Sequence, residues 1–191
     1  MQEQMRAPPT REGATDERSL SSEEIYRRHA QQVARWASRL AGPGLDVEDL
    51  VQETFLQVHR SRESFRGDSR LTTWLYGITE RVVYARRRRE RLRRMFGFGA
   101  RGELPEVVDP GPTPAEILER RQSTLLLYAA LDRLREKYRS ILILFELEGL
   151  SGEAIAGLKG LRIATVWARL SRGRAQLVRE LQRAERRSSC R

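Results

Sequence analysis

At 191 residues the chain has room for one ordinary domain or two small ones, and 39% hydrophobic against 32% charged residues means a modest core under a heavily charged surface. Its 36 Lys and Arg against 26 Asp and Glu, a formal net charge of +10, favour a polyanionic partner, either nucleic acid or an anionic membrane surface. The single cysteine, Cys190, excludes an internal disulfide, and no apolar run approaches the roughly 20 residues a bilayer-spanning helix needs.

Residues 1–20 mix charges with two prolines and show no periodicity, so they read as a disordered arm. Met1 to Ser19 has no apolar stretch of the signal-peptide kind, which fits a reducing cytoplasm. Structure is expected to begin at Ser21, where Ser21-x-x-Glu24 has the form of a capping box. The first helix should run to about Leu40, burying Ile25, Val33, Trp36 and Leu40, and Gly42-Pro43-Gly44 should end it. Asp46 then caps a second helix in which Val47, Leu50, Val51, Thr54 and Val58 recur on one stripe. After a turn at Gly67-Asp68-Ser69, a third helix buries Leu71, Trp74, Leu75, Ile78, Val82 and Ala85 and continues as a basic rod to about Arg94. These three helices, residues 21–95, make the first domain.

Residues 96–113 change character: three glycines precede Leu104, and Pro105, Pro110 and Pro112 follow among acidic residues, as in a linker with no core of its own. Thr113-Pro114-Ala115-Glu116 combines an N-cap, proline at the first helical position and glutamate at the third, and opens a second helical domain over 114–184. Ile117 to Leu134 and Tyr138 to Leu147 are apolar-periodic. Ser151 caps a short helix from Gly152 to Leu158, a turn falls at Lys159-Gly160-Leu161, and a long helix runs from about Ile163 to Ala184 ahead of a 185–191 tail. No alternating strand pattern occurs, so the fold class is all-α: two small helical domains joined by an acidic, proline-rich linker.

Glu153-Ala154-Ile155-Ala156, the turn at Gly160 and Thr165-Val166-x-x-Arg169-Leu170 have the spacing of a helix-turn-helix. Ala156 allows close approach, and Ile155, Leu161, Val166 and Leu170 would fill the angle between the helices. The second helix would enter the major groove with Arg162, Thr165, Arg169, Arg172 and Arg174 towards DNA. Arginine either forks onto guanine or holds phosphate, and the sequence leaves both open. The plainer reading is a helical hairpin with a solvated basic face.

The second and third helices carry opposite charge. Between Leu40 and His59 there is no Lys or Arg, and Asp49, Gln52 and Glu53 cluster opposite the Leu50/Val51 stripe. Acids near a helix N-terminus complement its dipole, but Gln52 and Glu53 lie beyond the first turn, where that effect fades. The third helix carries Arg81, Arg86, Arg87, Arg88, Arg89, Arg91, Arg93 and Arg94, with Glu90 the only acid among them. Lys137 and Lys159 are the only lysines in the chain. Arginine suits bidentate phosphate contact, although a GC-rich genome gives the same bias. A phosphate-binding rod fits better than a membrane-surface helix, because the apolar face of this helix is already committed to the core.

Asp46 to Arg60 (DVEDLVQETFLQVHR) and Phe65 to Thr79 (FRGDSRLTTWLYGIT) resemble domain 2 of bacterial sigma-70 family sigma factors of the extracytoplasmic-function (ECF) type, and Leu131 to Leu181 resembles their domain 4. By that resemblance Asp49, Gln52 and Glu53 contact the β′ clamp helices of core RNA polymerase, and domain 4 meets the β flap. Phe65, Ser69, Arg81, Arg86 and Arg87 bind the promoter −10 element, where Phe65 would wall a pocket for a flipped-out base with Ser69 on its edge, and Trp74 and Tyr76 are further candidates for the opened strand. For Trp74 the buried stripe favours a core role. Arg162, Thr165, Trp167, Arg169, Arg172 and Arg174 would read the −35 element. Arg81 stands where many relatives carry asparagine, Ala164 where glycine is frequent, and Trp167 where a lysine or arginine is usual. The exposed indole of Trp167 would pack on a thymine methyl or a sugar, or face an inhibitory partner.

The expected function is therefore an alternative sigma factor, held by a cognate anti-sigma factor, working in the cytoplasm without membrane insertion and without a cofactor. The alternative is a helix-turn-helix regulator that does not itself initiate transcription. An enzyme is not expected: His29 and His59 lack Cys or His partners at ligand spacing, and no phosphate loop, nucleophile elbow or HExxH occurs.

Overall fold

The computed structural model describes residues 17–96 and 114–188. Among the described residues every regular element is helical.

Helix α1 is Ser22–Ala41 and opens on the expected capping box: Glu24 N donates to Ser21 Oγ (3.2 Å), and Ser21 N donates to Glu24 Oε2 (2.7 Å). Such a cap contributes about 1 kcal/mol and fixes where the helix starts. The face it sets buries Ile25, Val33, Trp36, Ala37, Leu40 and Ala41. Gly42 ends α1 at φ +72°, a conformation open to glycine at little cost. Asp46 caps α2 (Val47–Ser61) by accepting from Glu48 N (2.8 Å) and Asp49 N (3.2 Å), which turns Leu50, Thr54 and Val58 inward. A 3₁₀ turn at Arg62–Ser64 leads to α3 (Leu71–Met95), whose Leu75, Tyr76, Ile78, Val82 and Val83 complete a three-helix core against Trp36. Trp36 and Tyr76 meet edge to face, with ring centroids 5.3 Å apart.

The first domain corrects three expectations. Tyr76 is buried at 1% exposure, because it points at Trp36 and not at solvent, so it is not placed to hold a DNA strand. Ala85 is exposed: the basic half of α3 has already left the core at that point. The arm expected over 1–20 is ordered by Glu17. Leu20 is buried, Arg62 donates to the carbonyls of Arg18 (2.6 Å) and Leu20 (2.9 Å), and Glu17 Oε2 accepts from Leu71 N (2.9 Å), capping α3 from a distance in sequence. Residues 1–16 lie outside the described residues, as do 97–113, where the linker is expected.

The second domain comprises α4 (Pro114–Leu131), α5 (Glu136–Leu142), α6 (Gly152–Lys159) and α7 (Ile163–Ser188). The helix expected to reach Leu134 stops at Leu131, and α5 passes into a π turn at Ile143–Leu147 that the apolar periodicity did not announce. Ser151 caps α6 by accepting from Ala154 N (3.2 Å), and Gly160, at φ +60°, makes the left-handed turn into α7. Ile155, Val166 and Leu170 are fully buried between α6 and α7, as the helix-turn-helix spacing requires. α7 runs past the expected Ala184 to Ser188.

The two domains pack against each other. α6 lies on α3, and α1 is continued by the α4–α5 region through a single hydrophobic cluster that includes Leu40, Tyr76, Leu131, Ile141 and Ile155.

Candidate nucleic-acid and partner interfaces

The acidic patch and the basic rod are in direct contact. Arg86 Nη2 lies 3.0 Å from Asp49 Oδ2, so the first of the expected polymerase contacts is ion-paired to one of the expected DNA contacts. Gln52 is exposed. Glu53 is half-buried and lines a groove with Gln57, Ser61, Ile78, Arg81, Val82 and Ala85. Residues that the sequence divided between a protein site and a DNA site, Glu53 and Arg81, therefore share one groove between α2 and α3. Arg81 is exposed there, its Nε bonded to the Gly77 carbonyl of its own helix (3.1 Å).

The loop ahead of α3 presents a different surface from the one expected. Phe65 is only 7% exposed, tilted against Trp74 at 5.1 Å with the Arg62 guanidinium 5.8 Å from its ring. It forms the floor of the loop and offers no open aromatic wall. Trp74 is half-buried against the core, in line with the core role its stripe favours. Ser69 is exposed, and with Arg70, Thr72 and Thr73 it lines a cleft of about 500 Å³ whose other wall is Glu148, Leu150, Glu153, Gly157 and Gly160. That cleft lies between the two domains, and Thr73 Oγ1 donates across it to the Gly157 carbonyl (3.0 Å).

Arg87 is the residue whose expected role the structure most changes. Its Nη1 donates to the carbonyls of Ala41 (2.9 Å) and Leu40 (3.3 Å), its Nη2 pairs with Asp132, and its side chain is 12% exposed. A guanidinium with these partners caps the C-terminal end of α1, where four carbonyls lack helical donors and the dipole attracts a cation. It is not presented to DNA in this conformation.

On α7 the expected readers fall on two flanks. Arg162 and Arg172 are exposed and Thr165 and Arg169 are half-buried. Arg172 faces the Tyr138 hydroxyl and lowers its pKa. Trp167 and Arg174 lie on the opposite flank. The Trp167 indole is 45% exposed, with its inner edge against Gly152 and its ring 5.7 Å from Phe145 at 72°. Arg174 stands over the Phe145 ring (5.2 Å) and pairs with Glu146 (2.7 Å). Trp167 is thus a held aromatic on the recognition helix, and Arg174 is engaged beside it by the π turn.

Sequence reasoning missed four side chains that organise these surfaces: Glu80, Asp132, Arg139 and Lys159. Arg139 is 1% exposed and donates through Nη1 to the Leu40 carbonyl (2.6 Å). Burial, with the nearby Arg87 adding to it and Asp132 opposing both, pulls its pKa down to about 10. Its Nε and Nη2 have no hydrogen-bond partner, although Nη2 is 3.7 Å from Asp132 Oδ1. The legible signal was an arginine on the apolar stripe of α5, one turn before Ile143. Lys159 pairs with Glu80, donates to Ser140 Oγ (3.0 Å) and lies 5.2 Å above the Tyr76 ring; burial lowers its pKa against the pull of Glu80. Among the described residues no helix is long and apolar enough to cross a membrane, and no group of His, Cys, Asp and Glu is arranged to hold a metal.

Comparison with known proteins agrees with the two-domain division. Family models match twice: Sigma-70 region 2 over residues 25–93 and Sigma-70, region 4 over residues 124–177. An ECF RNA polymerase sigma factor SigE from Mycolicibacterium smegmatis is 37% identical over 161 residues, covering 82% of this chain and 60% of that relative. The ECF RNA polymerase sigma-E factors of Salmonella typhimurium and Escherichia coli are each 31% identical over 164 residues, 81% of this chain and 83% of theirs. Two solved structures share the fold: CnrH in complex with the cytosolic domain of CnrY (TM-score 0.53, 23% identity, 88% of this chain and 94% of that one) and RpoE in complex with the anti-sigma factor NepR from Bartonella quintana (TM-score 0.55, 24% identity, 84% and 96%).

Proposed function

The chain belongs to the ECF group of the sigma-70 family, and from that premise we propose that it is an alternative sigma factor that binds core RNA polymerase and directs promoter-specific initiation. The observation that carries this reading is the pairing of two surfaces in one chain. One is the Asp49, Gln52 and Glu53 face on α2, and the other is the basic helix-turn-helix of α6 and α7. A plain DNA-binding regulator has no use for the first, and a protein that only sequesters polymerase has no use for the second.

In this reading Asp49, Gln52 and Glu53 meet a basic surface of core polymerase, where charge complementarity speeds encounter more than it raises affinity. Ser69, Arg81 and Arg86 border the path of the −10 strand, with Phe65 supporting the loop from beneath, and Arg87 joins them once freed from α1. Arg162, Thr165, Arg169 and Arg172 face the −35 duplex, with the Trp167 indole as an apolar edge and Arg174 holding that flank. The protein acts as a transcription initiation factor without catalytic chemistry of its own, in the cytoplasm. RpoE, which shares this fold, is seen with the anti-sigma factor NepR, and we assign this chain a partner of the same kind.

Run-off transcription with purified core polymerase and fragments of the chain's own upstream region tests the proposal. A defined start that depends on the protein, and its loss in Glu53→Arg together with loss of core binding on gel filtration, is the expected result. Failure of the wild-type chain to bind core would overturn it in favour of the regulator.

A further inference from the structure

The side chains that join the two domains include some that the proposed function needs elsewhere. The C-terminal carbonyls of α1 receive three donors: Tyr128 Oη to Arg39 O (3.1 Å), Arg139 Nη1 to Leu40 O (2.6 Å) and Arg87 Nη1 to Ala41 O (2.9 Å). Two of these donors come from the second domain. Asp132, also of the second domain, pairs with Arg87 and accepts from Arg91 through its carbonyl (3.1 Å). Arg35 and Arg39 of α1 lie 3.4 and 3.1 Å from the nearly buried Glu148 carboxylate. At the far end of the interface Lys159 of α6 reaches into the first domain, onto Glu80 and the Tyr76 ring. Lys159 is 9% exposed at its side chain and Glu80 20%, so water screens this pair little.

A chain held this way cannot serve both promoter elements. Elements centred 25 base pairs apart by their names lie about 85 Å apart along B-form DNA at ~3.4 Å per pair. A compact body of this size is about 40 Å across. Ser69 and Thr73, at the start of α3, face the first helix of the helix-turn-helix across a cleft, and Arg87 is held by Asp132. We infer that this conformation is an autoinhibited form of the factor, closed by a latch whose two ends are Glu80–Lys159 and Arg87–Asp132–Arg139. Nucleic acid and the latch compete for the same cation: a phosphate that takes Arg87 leaves the Asp132 carboxylate beside the buried Arg139 alone. Opening is therefore coupled to DNA engagement, and reciprocally a weakened latch raises apparent DNA affinity without adding a contact. The inference rests on the sigma reading for its biological meaning, but the latch itself is a property of the isolated chain.

Charge exchange at the Glu80–Lys159 end separates the two, because neither residue belongs to the proposed polymerase or DNA contacts. Small-angle X-ray scattering of the full chain should show Glu80→Lys and Lys159→Glu each expanding relative to wild type. The double exchange, which restores the pair with reversed polarity, should return the wild-type dimensions. Helical circular dichroism, equal in all four proteins, distinguishes opening from unfolding. Binding to a promoter duplex in the absence of polymerase should tighten about tenfold in both single variants, since a binder loses affinity in proportion to the scarcity of its competent form. The Lys159→Glu result is the sharper one. That variant lowers the net charge by two, so bulk electrostatics predicts weaker binding and the latch predicts tighter binding.

Single variants as compact as wild type, or a double exchange that stays expanded, would overturn the latch. If the scattering behaves as expected while no form of the chain supports transcription with core polymerase, the latch stands and the sigma reading fails. If transcription is robust and the single variants do not open, the reverse holds.

Discussion

Replacing Gly152 by alanine tests how the recognition helix is held. A Cβ at position 152 would fall 2.6 Å from Trp167 Cζ2, 3.0 Å from Cε2 and 3.1 Å from Ile163 Cδ1. The backbone at the first turn of α6 is fixed by Ser151, so the indole must retreat by about 1 Å to reach ordinary contact, and overpacking of this kind costs about 1–3 kcal/mol. Retreat also takes the indole off the Phe145 edge, a contact worth about 0.5–1.5 kcal/mol. Against this, alanine is the better helix former by up to about 1 kcal/mol. The net expectation is a loss of about 1–2 kcal/mol, measured by urea unfolding followed through the helical circular dichroism signal. With Trp167→Ala already in place the main obstacle is gone, and the same Gly152→Ala change should then cost nothing within about 0.5 kcal/mol. Because Trp167 stands in the helix proposed to read −35 DNA, Gly152→Ala alone should also weaken binding to that duplex. An equal stability cost in both backgrounds would refute the reasoning, since the glycine would then matter for some reason other than room for the indole.

Gly42→Ala should destabilise the chain by about 1–3 kcal/mol, because φ +72° with ψ −174° is nearly forbidden to alanine and the new Cβ would lie 2.3 Å from the Tyr128 ring; thermal unfolding measures it. Arg139→Met removes the donor to Leu40 O and leaves that carbonyl without one of its partners, at about 1–3 kcal/mol in chemical denaturation; a variant more stable than wild type would mean that burying the guanidinium outweighs its bonds. Alkaline pH should act through the tyrosines. Burial, aided by Glu80, pushes the Tyr76 and Tyr84 phenols well above their ordinary 10.0, so the folded chain keeps protons that the unfolded chain releases. Their contribution to stability is complete below pH 10 and falls as pH rises beyond it. Arg139, pulled down to about 10, works in the opposite sense as pH rises beyond 10, and partly offsets that loss. In a phenolate absorbance titration Tyr138 should ionise first, and Tyr76 and Tyr84 only as the fold is lost.

What the sequence made legible was local. Ser21, Asp46 and Ser151 each cap the helix they were expected to cap, since a cap bonds a backbone N–H two or three residues away and needs nothing else to be folded. The helix-turn-helix packing of Ile155, Val166 and Leu170 was legible for a related reason, because helical periodicity puts them on one side. The π turn at Ile143–Leu147 was not. An apolar run reads alike in an α or π register, and what distinguishes them here is Glu148 N reaching back five residues to Ile143 O, a local geometry that supports the Phe145 and Glu146 flank of α7. Glu17 as the cap of α3 was also beyond local reading, because 54 residues separate it from Leu71.

The candidate site fails to be legible at the level of individual arginines, and the reason is physical. A run such as Arg86 to Arg89 gives one electrostatic statement, that α3 is basic, and cannot say which cation is free. The fold answers by direction. Arg86 turns towards Asp49 on α2, and Arg87, about 100° further round the helix, turns towards the end of α1 and Asp132. Arg88 and Arg89 are exposed. Neighbours identical in chemistry therefore hold three kinds of position, set by partners 37, 45 and 46 residues away in sequence. Net charge predicted the kind of partner, a polyanion. Which arginines are free to meet it depends on which already have an acid or a helix end to bind, and for Arg87 both the α1 carbonyls and Asp132 are such partners.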